Sequence, residues 1–209
     1  MIVVHHLNNS RSQRVLWLLE ELGIEYEIKF YERDQKTMLA PASLREVHPL
    51  GKSPVITDGQ ETVAESGAII EYIIGRYGNG RLIPPSGTPE HVRYTYWLHY
   101  AEGSAMPPLV MNLIFNRFGG GDSSANDAFI APQIKLHFDY VESELGKSMW
   151  FVGEEFTAAD IQMSFPLELV AMEAELISNR PKIKEFIERI HARPAYKRAL
   201  ERGGKYDFA

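Results

Sequence analysis

The sequence predicts a small α/β domain followed by an all-helical domain. Residues 1–78 alternate short β-rich runs with helical patterns, whereas beyond residue 89 almost every pattern is helical. Between these parts, residues 79–88 are rich in glycine and proline, which interrupt regular elements. We therefore expect an α/β domain over 1–78, a linker over 79–88 and a helical domain over 89–209.

The first part predicts the order β-α-β, then a variable stretch, then β-β-α. IVVHHL and YEIKFY read as strands, and SPVIT and ETVA flank the turn DGQ as a hairpin. Between the first two strands, RSQRVLWLLEEL has the apolar spacing of a helix, and Gly23 follows it as a stop signal. SGAIIEYIIGRY returns to helical periodicity after the hairpin.

The second part predicts a series of helices, over 90–117, 127–145, 158–173, 180–192 and 194–202, with a loop at 119–127. Pro107 and Pro108 should kink the first of them, because both lack the N–H that would bond Gly103 and Ser104. FTAADIQ predicts a capping box, a purely structural motif in which Thr157 and the carboxylate three residues later bond reciprocally.

Composition and charge exclude several classes of protein. The chain has 209 residues, 44% hydrophobic and 24% charged, and a formal net charge of -6, which argues against nucleic acid or an anionic membrane as its main partner. No apolar run approaches the ~20 residues of a membrane span. The chain has no cysteine, which excludes disulfides and zinc-thiolate sites. His5 and His6 are adjacent on a strand and point to opposite faces, so we expect no metal site. The absence of cysteine and of a long apolar run leads us to expect a cytoplasmic protein.

NNSRSQRVLWLLEELG, residues 8–23, crowds hydroxyl and cationic side chains at a predicted helix start. Ser10 or Ser12 can simply cap the helix. A helix N-terminus also holds an anion, and a hydroxyl there can donate one more hydrogen bond. If the anion is a thiolate, lowering its pKa from roughly 8.5–9 to below 7 needs about 2–3 kcal/mol. This stretch alone does not decide between cap and ligand contact.

Two further segments allow both a structural and a binding interpretation. PLGKSPV is not a phosphate loop, because Glu46 stands where that motif needs glycine and Pro54 follows Ser53 at once. Pro54 opens a strand as an ordinary trans proline or as a cis proline, beside which Ser53 can offer its backbone to a peptide. Glu65 and Ser66 precede a helix, where they can cap it or hold an amino-acid head group.

The segment 94–115 is rich in Tyr, Trp, Met and Phe. These side chains can form an interhelical core, or they can line an apolar cleft opened by the two prolines. The candidate lining residues are Tyr100, Met106, Met111 and Phe115.

Taken together, the motifs resemble a known family. SxxxR at the first helix, HPLGKSPV at 48–55, ESGAIIEY at 65–72 and FTAAD at 156–160 resemble, in this order and spacing, the cytosolic glutathione transferases. The resemblance spans nearly the whole chain. It implies an α/β thioredoxin-like N-terminal domain plus an all-α C-terminal helical domain, with glutathione as co-substrate and no metal.

The resemblance also implies roles for individual residues. Ser10 matches the serine that bonds the glutathione sulfur in the serine-type branch, with Asn9 and Ser12 as alternative partners of the thiol. The residues matched to glutathione binding are Lys52 (glycyl carboxylate), Ser53 and Pro54 (cysteinyl backbone, cis proline), and Glu65 and Ser66 (γ-glutamyl end). Thr157 and Asp160 match the family's capping box.

Further expectations from the resemblance are a homodimer and a hydrophobic electrophile bound by the helical domain. The chain departs from the family's usual pattern at His48, where asparagine is common, a variant that is similar to a bacterial and fungal branch. Reduction of organic hydroperoxides is an accessible second activity. The alternative is a non-catalytic binding or scaffold protein, which would not need the glutathione residues.

Overall fold

A computed structural model describes residues 1–34, 36–118 and 126–209. The chain divides into two compact units, residues 1–83 with 190–209, and residues 84–189. The predicted class, an α/β part and a helical part, is confirmed. Most of the predicted loop at 119–127 lies outside the described residues.

A four-stranded mixed sheet forms the centre of the first unit. Its strands are β1 (Ile2–Leu7), β2 (Tyr26–Tyr31), β3 (Val55–Asp58) and β4 (Glu61–Ala64). They lie in the order β2-β1-β3-β4, with β1 parallel to β2 and antiparallel to β3, and β4 antiparallel to β3. All four predicted strands are present. Residues 42–46 add a short 3₁₀ helix in the stretch that the sequence leaves variable.

Nine α-helices occur in the described part of the chain. They are α1 (Ser12–Leu22), α2 (Ser66–Tyr77), α3 (Pro89–Tyr100), α4 (Met106–Phe118), α5 (Ala131–Leu145), α6 (Ala158–Ala171), α7 (Ala174–Ile177), α8 (Pro181–His191) and α9 (Pro194–Gly203).

Helix α9 packs on α1, although the predicted domain boundaries assign it to the helical part. The Trp17 and Tyr196 rings meet edge to face at 5.1 Å, and the Arg193 guanidinium donates to both Glu21 carboxylate oxygens at 2.6 and 2.9 Å. At Gly203 the approach is so close that a Cβ would lie 2.8 Å from a Leu16 methyl carbon. The chain end thus completes the first unit, a return that no local sequence pattern indicates.

The long helix predicted over 90–117 is interrupted ahead of its two prolines. A π-helical turn spans Ala101–Ala105, and the Met106 N–H donates to the Ala101 carbonyl, five residues back. Pro107 and Pro108 cannot donate to the carbonyls four residues back, so a regular α-helical ladder is not available here. At the place where a kink is predicted, the structure therefore shows a change of helical register.

The predicted capping box at α6 is confirmed. Asp160 Oδ2 accepts from the Thr157 backbone N–H at 2.8 Å and from its hydroxyl at 3.1 Å. Its other oxygen, Oδ1, accepts from the Phe151 N–H at 2.9 Å. Asp160 is fully buried, and this burial raises the pKa of its carboxyl to about 6. The motif joins the start of α6 to the segment before it.

Candidate functional site

Three of the sequence segments singled out above meet at one edge of the sheet. In the ladder, His5 near the end of β1 pairs with Val55 at the start of β3, which pairs with Ala64 at the end of β4. The segments that leave or enter the sheet at this edge therefore come together. They contain Ser10 after β1, Ser53 and Pro54 before β3, and Glu65 and Ser66 after β4.

The Ser10 hydroxyl lies in the turn before α1 and is nearly buried, with 4% of the residue exposed. Its Oγ is 2.7 Å from Ser12 Oγ and 3.5 Å from Ser53 Oγ, and it accepts from the Ser12 backbone N–H at 3.2 Å. Ser53 Oγ in turn donates to the His5 carbonyl at 3.0 Å. Ser10 thus caps the first turn and also links the two loops at this edge.

Ser12 is enclosed by protein. Its exposed fraction is 0%, and its Oγ lies 2.8 Å from His6 Nδ1. The same oxygen accepts from the Leu7 N–H at 3.3 Å and lies 3.3 Å from the Leu7 carbonyl oxygen, to which the hydroxyl can turn as an alternative to His6. Burial lowers the pKa of His6 to about 4, partly opposed by a hydrogen bond to the Gly203 backbone. His6 is consequently neutral at pH 7 in this environment.

Asn9 is held by the end of the chain. Its side-chain amide donates to an Asp207 carboxylate oxygen at 2.6 Å, and its Oδ1 accepts from the Asp207 N–H at 2.9 Å. Its backbone φ of 49° is uncommon for a residue other than glycine, although asparagine tolerates it. Both functional groups of the Asn9 side chain are thus engaged with Asp207.

A cationic cavity of about 240 Å³ opens beside Ser53. The cations that line it are Arg11, Arg33, Arg45 and Lys52. None of the described residues lining it is acidic. Gly51 shapes this wall, because its φ is 57° and a Cβ there would lie 2.7 Å from Arg45 Cγ. Such a cavity favours an anionic group.

Arg33 braces the turn that carries Ser10. Its guanidinium donates to the carbonyls of Asn8, Asn9 and Met38 at 3.0–3.2 Å. Burial, and then the neighbouring Arg11 charge, lower the pKa of Arg33. These contacts are with neutral carbonyls, so they leave the guanidinium's positive charge available to an anion in the cavity.

The Ser53–Pro54 peptide bond is cis. Glu65 lies at the start of α2 with φ 72°, a conformation that a side chain of this size rarely adopts. No described side chain caps the first N–H groups of α2, and the residue that opens the helix, Ser66, is 4% exposed while Glu65 is exposed. A carboxylate and a free helix start are therefore presented side by side at the sheet edge.

The unit 84–189 contains an apolar cavity of about 240 Å³ beside the π turn. Among the four residues predicted to line a pocket, Met111 lines it directly. Tyr100 is buried, and its hydroxyl lies 2.8 Å from Nδ1 of the lining residue His137. Met106 is buried and Phe115 is half-buried, and neither lines this cavity.

Sequence reasoning missed several residues of the site. It considered Lys52 but not Arg11, Arg33 and Arg45, which lie on three separate segments and share no motif. In the part of the chain that the structure describes, no group of three or more His, Cys, Asp or Glu is arranged to hold a metal ion. No helix among the described residues has the length and apolarity needed to cross a membrane.

Comparison with known families matches both parts of the chain. Residues 1–75 match the glutathione S-transferase N-terminal domain, and residues 109–194 match the glutathione S-transferase C-terminal domain. The first match covers β1 to β4 and most of α2, and so includes every segment at the sheet edge.

Individual relatives agree with the family models over nearly the full length. Glutathione S-transferase 3 of Schizosaccharomyces pombe is 36% identical, over 97% of this chain and 88% of its own. A crystal structure of a glutathione S-transferase from Actinobacillus pleuropneumoniae is 36% identical with a TM-score of 0.90, covering 100% of this chain and 95% of that one. A family member from Pseudomonas fluorescens, crystallised with two glutathione bound, is 26% identical with a TM-score of 0.82, covering 96% and 92%. The chain belongs to the glutathione S-transferase family.

Proposed function

We propose that the protein is a serine-type glutathione transferase, which ionises the thiol of glutathione and transfers glutathione to hydrophobic electrophiles. The observation that carries this proposal is the Ser10 hydroxyl, nearly buried at the sheet edge and 3.5 Å from the Ser53 hydroxyl. A hydroxyl beside the start of α1 can donate to a thiolate, and the helix dipole favours the same charge.

Glutathione is a peptide with charged ends, and the site offers a suitable partner for each part. Glu65 would hold the γ-glutamyl ammonium, while Ser66 and the uncapped start of α2 would take its carboxylate. The backbone of Ser53, next to Pro54, would bond the cysteinyl part. The glycyl carboxylate would enter the cationic cavity, whose lining includes Lys52.

Of the three candidates for the thiol's partner, Ser10 is favoured by the bonding of the other two. The Asn9 side chain is engaged with Asp207, and Ser12 is fully enclosed beside His6. Ser10 is the candidate whose hydroxyl lies close to Ser53, the residue proposed to bond the cysteinyl backbone.

The chemistry requires the protein to stabilise the thiolate and to orient it. The sulfur attacks an electrophilic carbon with its electron pair, a new carbon–sulfur bond forms, and the leaving group departs with the pair of the broken bond. Lowering the thiol pKa from about 8.5 to below 7 needs about 2–3 kcal/mol, which one charge-accepting hydrogen bond and a helix dipole can supply together. No protein nucleophile is involved.

We propose that the unit 84–189 provides the apolar site for the electrophile. The cavity beside the π turn, lined by Met111 and bordered through His137 by Tyr100, supports this assignment. Met106 would act from the core beneath, and Phe115, half-buried on α4, is the remaining candidate. A methionine-rich wall adapts to ligands of different shape.

Reduction of organic hydroperoxides is a second candidate activity, supported by the two glutathione bound in the P. fluorescens relative. The thiolate would attack the peroxide oxygen, which releases an alcohol and leaves glutathione sulfenic acid. A second glutathione would condense with it to form the disulfide and water. The reaction consumes two glutathione molecules and needs no protein cysteine, in keeping with a chain that has none.

We also propose a cytoplasmic homodimer. Four large side chains are exposed on two helices, Val92 and Tyr96 on α3 and Leu136 and Tyr140 on α5. The two tyrosine hydroxyls lie 3.2 Å apart, so the four residues form one continuous and largely apolar surface that could bind a second copy of the chain. Light scattering after size exclusion should give twice the chain mass, and Leu136→Glu should give a monomer. A monomeric wild type would refute the dimer.

Glutathione binding and turnover test the proposed function. Calorimetry should detect glutathione, and turnover should follow with at least one member of a panel of aryl halides, epoxides, isothiocyanates and hydroperoxides. Glu65→Ala should weaken binding about tenfold, as for a lost charged contact, whereas the matched control Glu61→Ala, an exposed glutamate on β4, should leave it unchanged. Failure to bind millimolar glutathione would favour the non-catalytic scaffold.

A further inference from the structure

Ser10 is the outer member of a chain of three polar side chains that runs into the protein. Ser10 Oγ lies 2.7 Å from Ser12 Oγ, which lies 2.8 Å from His6 Nδ1. These short separations require one hydrogen between each neighbouring pair. A serine hydroxyl has one hydrogen to donate, so the choice made at one contact decides the next.

The direction in which the hydrogen bonds run along Ser10, Ser12 and His6 determines whether the Ser10 hydroxyl can donate to a thiolate. If Ser10 donates its hydrogen to sulfur, the hydrogen between Ser10 and Ser12 must come from Ser12. Ser12 then has none left for His6, and the contact at 2.8 Å can be filled only from His6 Nδ1. A Ser12 hydroxyl turned to the Leu7 carbonyl would not solve this, because the Ser10 contact would then lack a hydrogen.

We propose that His6 is a positioning residue for the thiolate, and that a hydrogen on its Nδ1, relayed through Ser12, is what lets Ser10 donate to the glutathione sulfur. This inference rests on the proposed function and adds to it a residue that does not touch glutathione.

Without ligand, the surroundings of His6 favour the opposite direction. Its Nε2 faces Gly203, whose backbone accepts a hydrogen bond from the ring, so in the neutral ring the single hydrogen sits on Nε2 and Nδ1 accepts from Ser12. Burial keeps the pKa of His6 low. The groups that contact the ring are Phe30 on β2, Ser12 on α1 and Gly203 on α9, and none of these is charged.

Ionisation of the thiol reverses the chain. The S–H proton passes to Ser10 Oγ, the Ser10 hydrogen to Ser12 Oγ, and the Ser12 hydrogen to His6 Nδ1. One S–H bond is lost and one N–H bond is gained, with no oxidation. In the thiolate complex, the negative charge on sulfur raises the pKa of His6 above its ligand-free value of about 4, so that the ring can hold this proton.

Nitrogen NMR of the full-length protein labelled with ¹⁵N-histidine tests this directly. Without glutathione, we expect His6 Nδ1 to show the shift of an unprotonated nitrogen. With saturating glutathione at a pH where the thiol is ionised, it should show the shift of a protonated one. His5, on the same strand, has its Nδ1 at the Tyr31 hydroxyl and its Nε2 at the Thr57 hydroxyl. Its Nδ1 serves as the control and should not change. An unprotonated His6 Nδ1 in the thiolate complex would overturn the inference.

A pair of substitutions tests the relay by a second route. In His6→Asn, an amide N–H replaces Nδ1 as the donor to Ser12. The pKa of the bound glutathione thiol should therefore fall by about one unit, which gives about tenfold more thiolate at a pH below that pKa. In a Ser12→Ala background the same substitution should have no effect, because the link is cut. His5→Asn is the matched control and should leave the thiol pKa unchanged.

The outcomes separate this inference from the proposed function. An equal shift with and without Ser12, or no shift from His6→Asn while Ser10→Ala still raises the thiol pKa, would refute the relay alone. A wild type that does not bind glutathione would refute the proposed function and the relay with it.

Discussion

Two helices of this protein begin at buried hydroxyl side chains and use them differently. At the start of α6, Thr157 and Asp160 form a closed box in which the Asp160 carboxylate accepts three hydrogen bonds and the Thr157 oxygen accepts from the Asp160 N–H. At the start of α1, Ser10 and Ser12 form a chain of hydroxyls that ends at His6. Both motifs are buried, and both lie at the N-terminus of a helix.

The difference lies in which groups can reverse their roles. A carboxylate only accepts, so the hydrogens of the α6 box have one arrangement, suited to stability. Hydroxyls and an imidazole both donate and accept, so the α1 chain has two arrangements, and a ligand can choose between them. A buried polar motif with one arrangement is structural, whereas one with two can take part in proton chemistry.

Removing the carboxylate of the closed box should have the largest effect on stability. Asp160→Ala leaves three donors unpaired in the core, and we expect it to lower the free energy of unfolding by roughly 4 kcal/mol. Denaturant titration measures this loss. The exposed Glu155→Ala is the control and should change stability by less than about 0.5 kcal/mol. A similar loss in both variants would contradict the role of the box.

The buried His6 at the end of the hydroxyl chain before α1 should make the stability of the protein depend on pH. Because the pKa of His6 is about 4 in the folded protein and 6.5 for an ordinary histidine, the folded state binds fewer protons between these pH values. The free energy of unfolding is therefore unaffected by His6 above pH 6.5, and it falls by roughly 3 kcal/mol in total as the pH drops towards 4. His6→Asn should remove this fall in denaturant titrations of the ligand-free protein. The exposed His99→Asn should retain it.

Ser10→Ala should raise the pKa of the bound glutathione thiol and leave the affinity for glutathione nearly unchanged. Loss of one hydrogen bond to a thiolate should raise the pKa of bound glutathione by about 1–2 units, measured from thiolate absorbance against pH. Affinity for glutathione should stay within about threefold, because the ends of the peptide are held elsewhere. An unchanged pH–rate profile would exclude Ser10 as the partner of the thiol. The distant, exposed Ser178→Ala controls for loss of a hydroxyl.

The smallest effect is expected where the end of the chain holds the turn before Ser10. Asp207→Ala removes the carboxylate bonded to Asn9, and since this contact is exposed, the cost to stability should be about 0.5 kcal/mol. The pKa of the bound thiol should not change, because Asn9 is outside the hydroxyl chain. A shift as large as that of Ser10→Ala would place Asn9 in the thiol's environment and overturn our choice among the three candidates.

Much of the fold could be predicted from local patterns. The four strands, the helix at 66–77 and the capping box follow from periodicity and short-range hydrogen bonds, which depend only on neighbouring residues. The π turn at 101–105 was predictable as an interruption, because two prolines remove donors, but its form depends on packing. The packing of α9 against α1 was not predicted, because the two helices are about 170 residues apart and no local pattern in either one indicates the contact.

The candidate site shows the same division. The sequence alone determined the class of fold, the order of its elements and the short list of hydroxyls at the start of α1. The tertiary structure decided which of them faces Ser53, because that depends on the pairing of strands distant in sequence. It also decided that Asn9 is bonded to Asp207 and that Ser12 is bonded to a neutral histidine. Local propensity sets where a helix begins, but the direction of its hydrogen bonds is set by whatever the rest of the chain brings against it.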